Sequence, residues 1–430
     1  MKTTVFFLIL TVIFISCRQE KSNSFPYEKG KIILLKNRND STEQYYAYFP
    51  KEYVNDGTYP IIVGFDAHKN GLKFVKKLKF IADKLGIALA GSMNFENNHP
   101  QAEYIAQMLF RDIQNRFNIN SKAEFIGGFS GGARFAQIYA FQNNEIDGVL
   151  SFSAGISFNT MPMHSFPMAI TFGKQDFNYR EAIYSDQIAP KLKIPLAIFT
   201  FNGKHQYPDD TTAAKAVMFL YSYAIKQKWI PKQKNKINFI ENFLQTEFKN
   251  ASDINKFYIA KEAISILNGI ANVNKYKKFI DNFVKTQKFK AYISKMNKIN
   301  SIENKLMSLY PSYFEKKDIH WWKIEIENLH EKITTTKDPD FVAMYSRIKG
   351  FLGILAYEKT KQYAYANNQT KLKKALTIYK LLEPNNPDME FFRALYYKNK
   401  KNTDSASFFL NKAINNGFDT TSIIYLQLWK

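Results

Sequence analysis

The sequence predicts an α/β fold with a mostly parallel sheet for residues 30–228 and an all-helical region for residues 229–430. In the first half, short apolar segments alternate with longer segments whose apolar residues recur at helical spacing. This alternation is typical of a parallel sheet that is covered by helices on both faces. From Trp229 onward glycine becomes sparse, and aromatic and aliphatic residues recur at helical spacing. Pro231 ends the last helix of the first half, so the change of fold class is expected there.

Strand-like and helix-like segments account for most of the first half. The predicted strands are alternating or continuously apolar runs bounded by turn-forming residues, and they span residues 31–35, 43–49, 60–65, 87–90, 123–126, 148–152, 168–172 and 196–200. The predicted helices carry apolar residues three and four positions apart, and they span residues 72–85, 104–117, 133–140, 180–187 and 211–227. Only 46 positions separate Ser130 from Asp176. That is too short for an inserted lid domain, so a sheet without a large cap is predicted.

The first 17 residues have the features of a signal peptide. Lys2 supplies a positive charge, and residues 5–15 form an apolar run that is too short to span a bilayer core of about 30 Å. The segment Phe14-Ile15-Ser16-Cys17 resembles the lipobox of a bacterial lipoprotein, with phenylalanine where leucine is usual. The resemblance implies that residues 1–17 are a lipoprotein signal, that Cys17 carries a lipid, and that residues 18–29 tether an extracytoplasmic protein to the membrane. An ordinary cleaved secretory signal is the alternative.

A glycine-rich segment, Gly128-Phe129-Ser130-Gly131-Gly132, joins the predicted strand 123–126 to the predicted helix 133–140. Such a tight turn forces its central residue into a strained conformation, and the flanking glycines relieve crowding. The spacing fits neither a dinucleotide fingerprint nor a P-loop. The G-x-S-x-G pattern resembles the nucleophile elbow of α/β-hydrolases, which implies that Ser130 is a nucleophile. A tight turn with an incidental serine is the alternative.

An activated serine needs a base to take its proton and an acid to orient that base. In α/β-hydrolases the chain order is Ser, Asp, His, with the acid after a strand beyond the elbow and the histidine after the last strand. Asp176 directly follows a predicted strand, whereas Glu181 and Asp186 fall in the next predicted helix. The resemblance therefore implies that Asp176 is the acid of the triad.

Two histidines follow the elbow and precede the helical region, His164 and His205. His205 comes directly after the last predicted strand, where the resemblance places the base, whereas His164 precedes a strand. Asp209 and Asp210 are an alternative for the acid, but carboxylates at this position are better explained as the start of a helix.

The resemblance also implies two backbone N–H groups that stabilise an oxyanion. The first is that of Gly131, directly after the proposed nucleophile. Alignment of the strand ends gives His68 as the second donor. This chain has Asp66 and Ala67 where relatives often carry a His-Gly pair, which is a departure from the family pattern.

Cofactor chemistry has no sequence signal in this chain. Cys17 is the only cysteine, which rules out a disulfide framework within the chain and thiol catalysis by the mature protein. No HExxH motif and no Cys/His cluster is present, so neither a metal nor another cofactor is predicted.

The helical region is basic and partly repetitive. Residues 231–430 carry +15 of the net +22 charge. Solvated helix faces explain this excess, and attraction to anionic lipid or polysaccharide is the alternative. Nucleic acid is not expected as a partner of an exported chain.

Residues near 370–418 resemble a tetratricopeptide repeat, which implies a protein partner for this tail. The matching positions are Ala394, Tyr397, Ala406, Leu410 and Ala413.

The resemblance to α/β-hydrolases, particularly compact secreted esterases and dienelactone-hydrolase-like enzymes, covers residues 30–228. It implies a serine hydrolase that cleaves a small ester or acylated substrate through an acyl-enzyme intermediate. The alternatives are a serine peptidase on the same fold and a lipoprotein scaffold with a vestigial hydrolase fold.

Overall fold

The computed structural model describes residues 25–156 and 161–429. The predicted signal peptide, Cys17 and most of the predicted tether lie outside the described residues, so export and lipidation stay predictions. Among the residues that are described, no helix is long and apolar enough to cross a membrane.

The described strands form one sheet of eight strands. They are β1 (Ile32–Lys36), β2 (Gln44–Tyr48), β3 (Ile61–Asp66), β4 (Ala88–Ser92), β5 (Glu124–Phe129), β6 (Gly148–Phe152), β7 (Met168–Gly173) and β8 (Leu196–Phe201). Their order across the sheet is β1-β2-β4-β3-β5-β6-β7-β8. β2 is antiparallel to both of its neighbours, and all other pairs are parallel. The predicted mostly parallel sheet is confirmed.

Helices cover both faces of this sheet. They are α1 (Gly71–Leu85), α2 (Ala102–Arg116), α3 (Gly131–Gln142), α4 (Arg180–Ile188) and α5 (Asp210–Lys226). α1 and α5 pack on one face, and α2, α3 and α4 pack on the other. Every residue of β3 to β7 is buried, as expected for strands that are covered on both sides. The carboxyl ends of the parallel strands share one edge, and the loops that leave this edge carry the predicted site.

Helices also account for the second half of the described chain, and the predicted helical region is confirmed. They are α6 (Lys234–Asn250), α7 (Asp253–Leu267), α8 (Asn274–Phe283), α9 (Gln287–Lys316), α10 (Ile319–Thr335), α11 (Pro339–Tyr365), α12 (Gln369–Leu382), α13 (Pro387–Asn399), α14 (Thr403–Asn415) and α15 (Ile423–Leu428).

The helices α6 to α8 belong to the same apolar core as α1 and α5. Ile240 and Leu244 of α6 and Ile266 of α7 are fully buried in the cluster that those two helices form on the sheet. Lys215 of α5 also pairs with Glu262 of α7 at 2.6 Å between Nζ and Oε2, with both side chains nearly buried. The apolar core therefore continues across the predicted boundary at residue 229.

The helices from α9 onward build a second apolar cluster around the buried Trp322. Within it α13 and α14 pack closely against each other. The small residues Ala394, Ala406 and Ala413 are buried, and Tyr397 stacks on Phe409 with ring centroids 5.3 Å apart. The tetratricopeptide resemblance of this pair stays a prediction.

Candidate active site

Ser130 lies between the end of β5 and the first residue of α3, with a positive φ of 54°. A non-glycine residue in this region is strained, and the surrounding backbone must hold it there. The Ser130 N–H donates to the Phe152 carbonyl at 2.9 Å. A Cβ atom at Gly128 or Gly132 would lie 2.4 or 2.1 Å from the Phe65 carbonyl oxygen. Only glycine fits on either side of this serine, which explains the predicted pattern.

Ser130, His205 and Asp176 meet at the carboxyl edge of the sheet. His205 follows β8, and its Nε2 lies 2.8 Å from Ser130 Oγ. The other ring nitrogen, Nδ1, lies 2.9 Å from Asp176 Oδ1. Asp176 follows β7 and is fully buried, and the Asn178 N–H also donates to its Oδ1 at 2.8 Å. The structure thus brings together the three residues that the sequence singles out, in the order serine, imidazole, carboxylate.

The other residues weighed for these roles lie elsewhere. Glu181 accepts hydrogen bonds from Arg134 at 2.6 Å and from the Gly155 N–H at 2.7 Å. Asp209 caps α5 through the Thr212 N–H. Asp210 is on the surface and pairs with Lys77.

His164 hydrogen bonds through Nε2 to the Ile146 carbonyl at 2.9 Å. Asp186 is exposed on α4, and within the described part of the chain neither it nor His164 hydrogen bonds to Ser130, His205 or Asp176. The three residues that meet are therefore those indicated by the chain order Ser, Asp, His and by their positions after predicted strands.

The two expected oxyanion donors, Gly131 and His68, differ in the hydrogen bonds of their N–H groups. Gly131 is the first residue of α3, so its N–H points away from the helix without an intrahelical acceptor. The His68 N–H already donates to Asp66 Oδ1 at 2.9 Å. The N–H of Ala67, one residue earlier, meets no acceptor among residues 25–156 and 161–429. Ala67 is therefore the better candidate for the second donor, and the assignment of Gly131 and His68 stays a prediction.

Asp66 and Tyr207 link the loop after β3 to the loop that carries His205. The Tyr207 hydroxyl donates to Asp66 Oδ2 at 2.5 Å, and both residues are buried. Burial and the adjacent carboxylate raise the pKa of Tyr207, which keeps it a donor. The Tyr207 ring stacks on Phe129, directly before the nucleophile, with centroids 4.6 Å apart. The sequence offered a signal here, since Asp66 ends a strand and Tyr207 follows His205 by two positions.

Asn97 is a second residue that sequence reasoning missed. Its backbone N–H donates to the Ala67 carbonyl at 3.1 Å. Its side chain lies over Gly131, where an added Cβ would come within 1.6 Å of Asn97 Oδ1. Asn97 thus contacts both segments that carry the candidate oxyanion donors. It lies in an irregular loop after β4, and no motif marks it.

Within the described part of the chain, no group of three or more His, Cys, Asp or Glu side chains could hold a metal ion.

The structure was compared with solved structures, and part of it aligns with three enzymes. Esterase 2 from Thermogutta terrifontis, phosphoramylated by tabun, aligns with a TM-score of 0.38 and 12% identity over 48% of this chain and 99% of that one. S-formylglutathione hydrolase from Staphylococcus aureus gives 0.37 and 12% over 46% and 100%. The hyperthermophilic esterase from Pyrobaculum calidifontis gives 0.34 and 10% over 46% and 83%. No family model and no curated protein matches the sequence. Over less than half of its length, the chain is thus similar to two esterases and a hydrolase.

Proposed function

We propose that this protein is a serine hydrolase, and specifically a carboxylesterase that cleaves small esters through an acyl-enzyme. The observation that carries the proposal is the continuous hydrogen-bonded series from Ser130 Oγ to His205 and from His205 to the buried Asp176. Asp176 and His205 each follow a strand, and Ser130 lies on a strained turn. The fold therefore holds the three side chains in contact despite the strained backbone at Ser130. A protein that had lost catalysis would not be expected to keep all three residues in contact.

The geometry supports a defined sequence of proton transfers. Ser130 Oγ attacks the carbonyl carbon of the ester while His205 Nε2 takes the hydroxyl proton. The Asp176 carboxylate accepts from Nδ1–H and thereby holds the tautomer in which Nε2 is free to accept. His205 then gives the proton to the alcohol oxygen as the C–O bond breaks, which leaves an acyl-serine. Water attacks this acyl group with His205 again as base, releases the acid and restores Ser130.

The oxyanion formed in each attack needs donors close to Ser130. The N–H groups of Gly131 and Ala67 are proposed for this role, each with an expected contribution of about 2.7–4 kcal/mol to transition-state stabilisation. Backbone donors are suited to the task because they are fixed before the charge develops.

A substrate panel tests the proposed activity. The wild-type protein should hydrolyse p-nitrophenyl esters of one or more acyl lengths and leave peptide p-nitroanilides intact. Ser130→Ala should abolish ester turnover, because it removes the attacking oxygen. Ser165→Ala is the matched control and should keep full activity, since the exposed Ser165 hydroxyl donates to the Lys193 carbonyl.

The other outcomes of this panel select the other functions. Cleavage of the anilides but not the esters would indicate a peptidase. A folded protein that cleaves neither class would favour the lipoprotein scaffold.

We further propose that the enzyme acts outside the cytoplasm and is anchored by a lipid on Cys17, on the strength of residues 1–17 alone. Cys17→Ala should move the protein from the membrane fraction to the soluble fraction, because it removes the one cysteine that could carry the lipid. A variant that still partitions into detergent would contradict the anchor.

A further inference from the structure

The helical region contacts the loop that carries Asp176 through one buried arginine. Arg347 of α11 makes a bidentate ion pair with Glu303 of α9, with two N···O distances of 2.6 Å. Only 4% and 1% of the two side chains are exposed. The remaining nitrogen, Nη1, donates to the Lys174 carbonyl at 2.7 Å. Lys174 lies between the end of β7 and Asp176, so a side chain of the second half holds the backbone of the acid loop.

This carbonyl belongs to a peptide unit with a second long-range bond. The N–H of the same unit, that of Gln175, donates to the Gly203 carbonyl in the loop that carries His205. The unit is also the central peptide of a turn closed by the bond from the Asp176 N–H to the Gly173 carbonyl at 3.0 Å. The central peptide of a turn can adopt two orientations. The hydrogen-bond partners of its C=O and N–H groups determine which orientation it takes. Arg347 holds one end, and the histidine loop holds the other.

A second contact from α11 reaches the imidazole. Phe177 stacks on the His205 ring with centroids 4.3 Å apart. Gly350 lies one helical turn after Arg347 and on the same face, and a Cβ there would be only 3.2 Å from Phe177 Cβ. α11 therefore supports the acid loop at Lys174 and the histidine ring through Phe177.

We propose that Arg347 is a positioning residue for the proposed serine hydrolase reaction, supplied by the helical region to fix the peptide between Lys174 and Gln175. The role rests on the proposed function. It acts by keeping the acid loop and the histidine loop in register, so that Asp176 Oδ1 stays within reach of His205 Nδ1. The active site is then incomplete without α9 and α11, although the residues of the triad all lie in the first half.

Among the basic side chains, only an arginine can make the three hydrogen bonds that Arg347 makes here. The guanidinium fork satisfies both Glu303 oxygens and still has a donor in a fixed direction for the carbonyl. Its plane also lies over the Tyr179 ring, with Cζ 4.7 Å from the centroid. A lysine would keep the charge beside Glu303 but could not make all three bonds in this geometry.

The test compares Arg347→Met, Arg347→Lys and the double variant Glu303→Leu/Arg347→Met in the full-length chain. The double variant avoids a buried unpaired carboxylate, so it keeps the fold if the single variant does not. Arg393→Met is the matched control, because Arg393 pairs with the buried Glu390 of its own helix and lies over the Phe409 ring. The measurements are kcat and KM for a p-nitrophenyl ester, the rate of labelling by a fluorophosphonate, and the melting temperature.

The double variant should lose about 10- to 100-fold in kcat and in labelling rate with little change in KM, as expected for a small misplacement of catalytic groups. Arg347→Lys should recover part of this loss, and Arg393→Met should retain the wild-type rates. Wild-type rates in the folded double variant would overturn the role of Arg347. An equal loss in Arg393→Met would overturn it as well, since the effect would then be general. A wild-type protein that neither turns over esters nor reacts with the probe would instead overturn the proposed function, and this role with it.

Discussion

His205→Ala should lower kcat for ester hydrolysis by about 10⁶-fold and leave the fold intact, which is the scale seen when the base of a serine triad is removed. The loss follows from the contacts of the ring, since His205 lies 2.8 Å from Ser130 Oγ and no other base contacts that hydroxyl among the described residues. Without a proton acceptor the serine is a poor nucleophile at neutral pH. Kinetics with an activated ester and a far-UV circular dichroism spectrum measure the two parts of this prediction.

His164→Ala is the matched control for this variant. His164 also follows the elbow in the sequence, but its Nε2 hydrogen bonds to the Ile146 carbonyl and not to Ser130. Its removal should leave kcat unchanged. Comparable losses in both histidine variants, or full activity in His205→Ala, would contradict the assignment of the base.

A chain that ends at Lys228 should be insoluble or unfolded. Such a chain lacks α6 and α7 and therefore exposes the apolar faces of α1 and α5 that those helices cover. Ile237, Ile240 and Leu244 of α6 are buried there, and burial of each is worth about 1.5–3 kcal/mol. Their sum is comparable with a typical free energy of unfolding of about 5–15 kcal/mol. Solubility and a thermal melt of the truncated chain measure the effect.

A chain that ends at Lys285 is the control for this truncation. It keeps α6 to α8 and should fold, but it lacks Glu303 and Arg347 and should be a poor esterase. A soluble, fully active chain that ends at Lys228 would contradict both the shared core and the role of the helical region in the site.

The sequence predicted the fold of the first half and the three residues that meet in it for physical reasons. Buried parallel strands need continuous apolar runs, and a strained turn needs glycines at Gly128 and Gly132, so both leave patterns in the sequence. Asp176 and His205 could be selected because each directly follows a strand, and the carboxyl ends of parallel strands share one edge.

Other features of the site left no such pattern. The choice of the second oxyanion donor depends on which backbone N–H donates to the Asp66 carboxylate. The conformation of the loop after β3 determines this. The amphipathic pattern of α6 predicts a buried face but not that α1 and α5 cover it. Arg347 was missed because a charged residue in a helical pattern is expected on the surface, and its partners are 44 and 173 positions away.

The most direct test of the account is to identify the residue that reacts with a fluorophosphonate. The probe should add to the wild-type protein once, and peptide mapping by mass spectrometry should locate it on Ser130. Labelling should be absent in Ser130→Ala and strongly slowed in His205→Ala, because the same base activates the serine towards the probe. Labelling at another residue, or a folded wild-type protein that does not react, would contradict Ser130 as the nucleophile of a serine hydrolase.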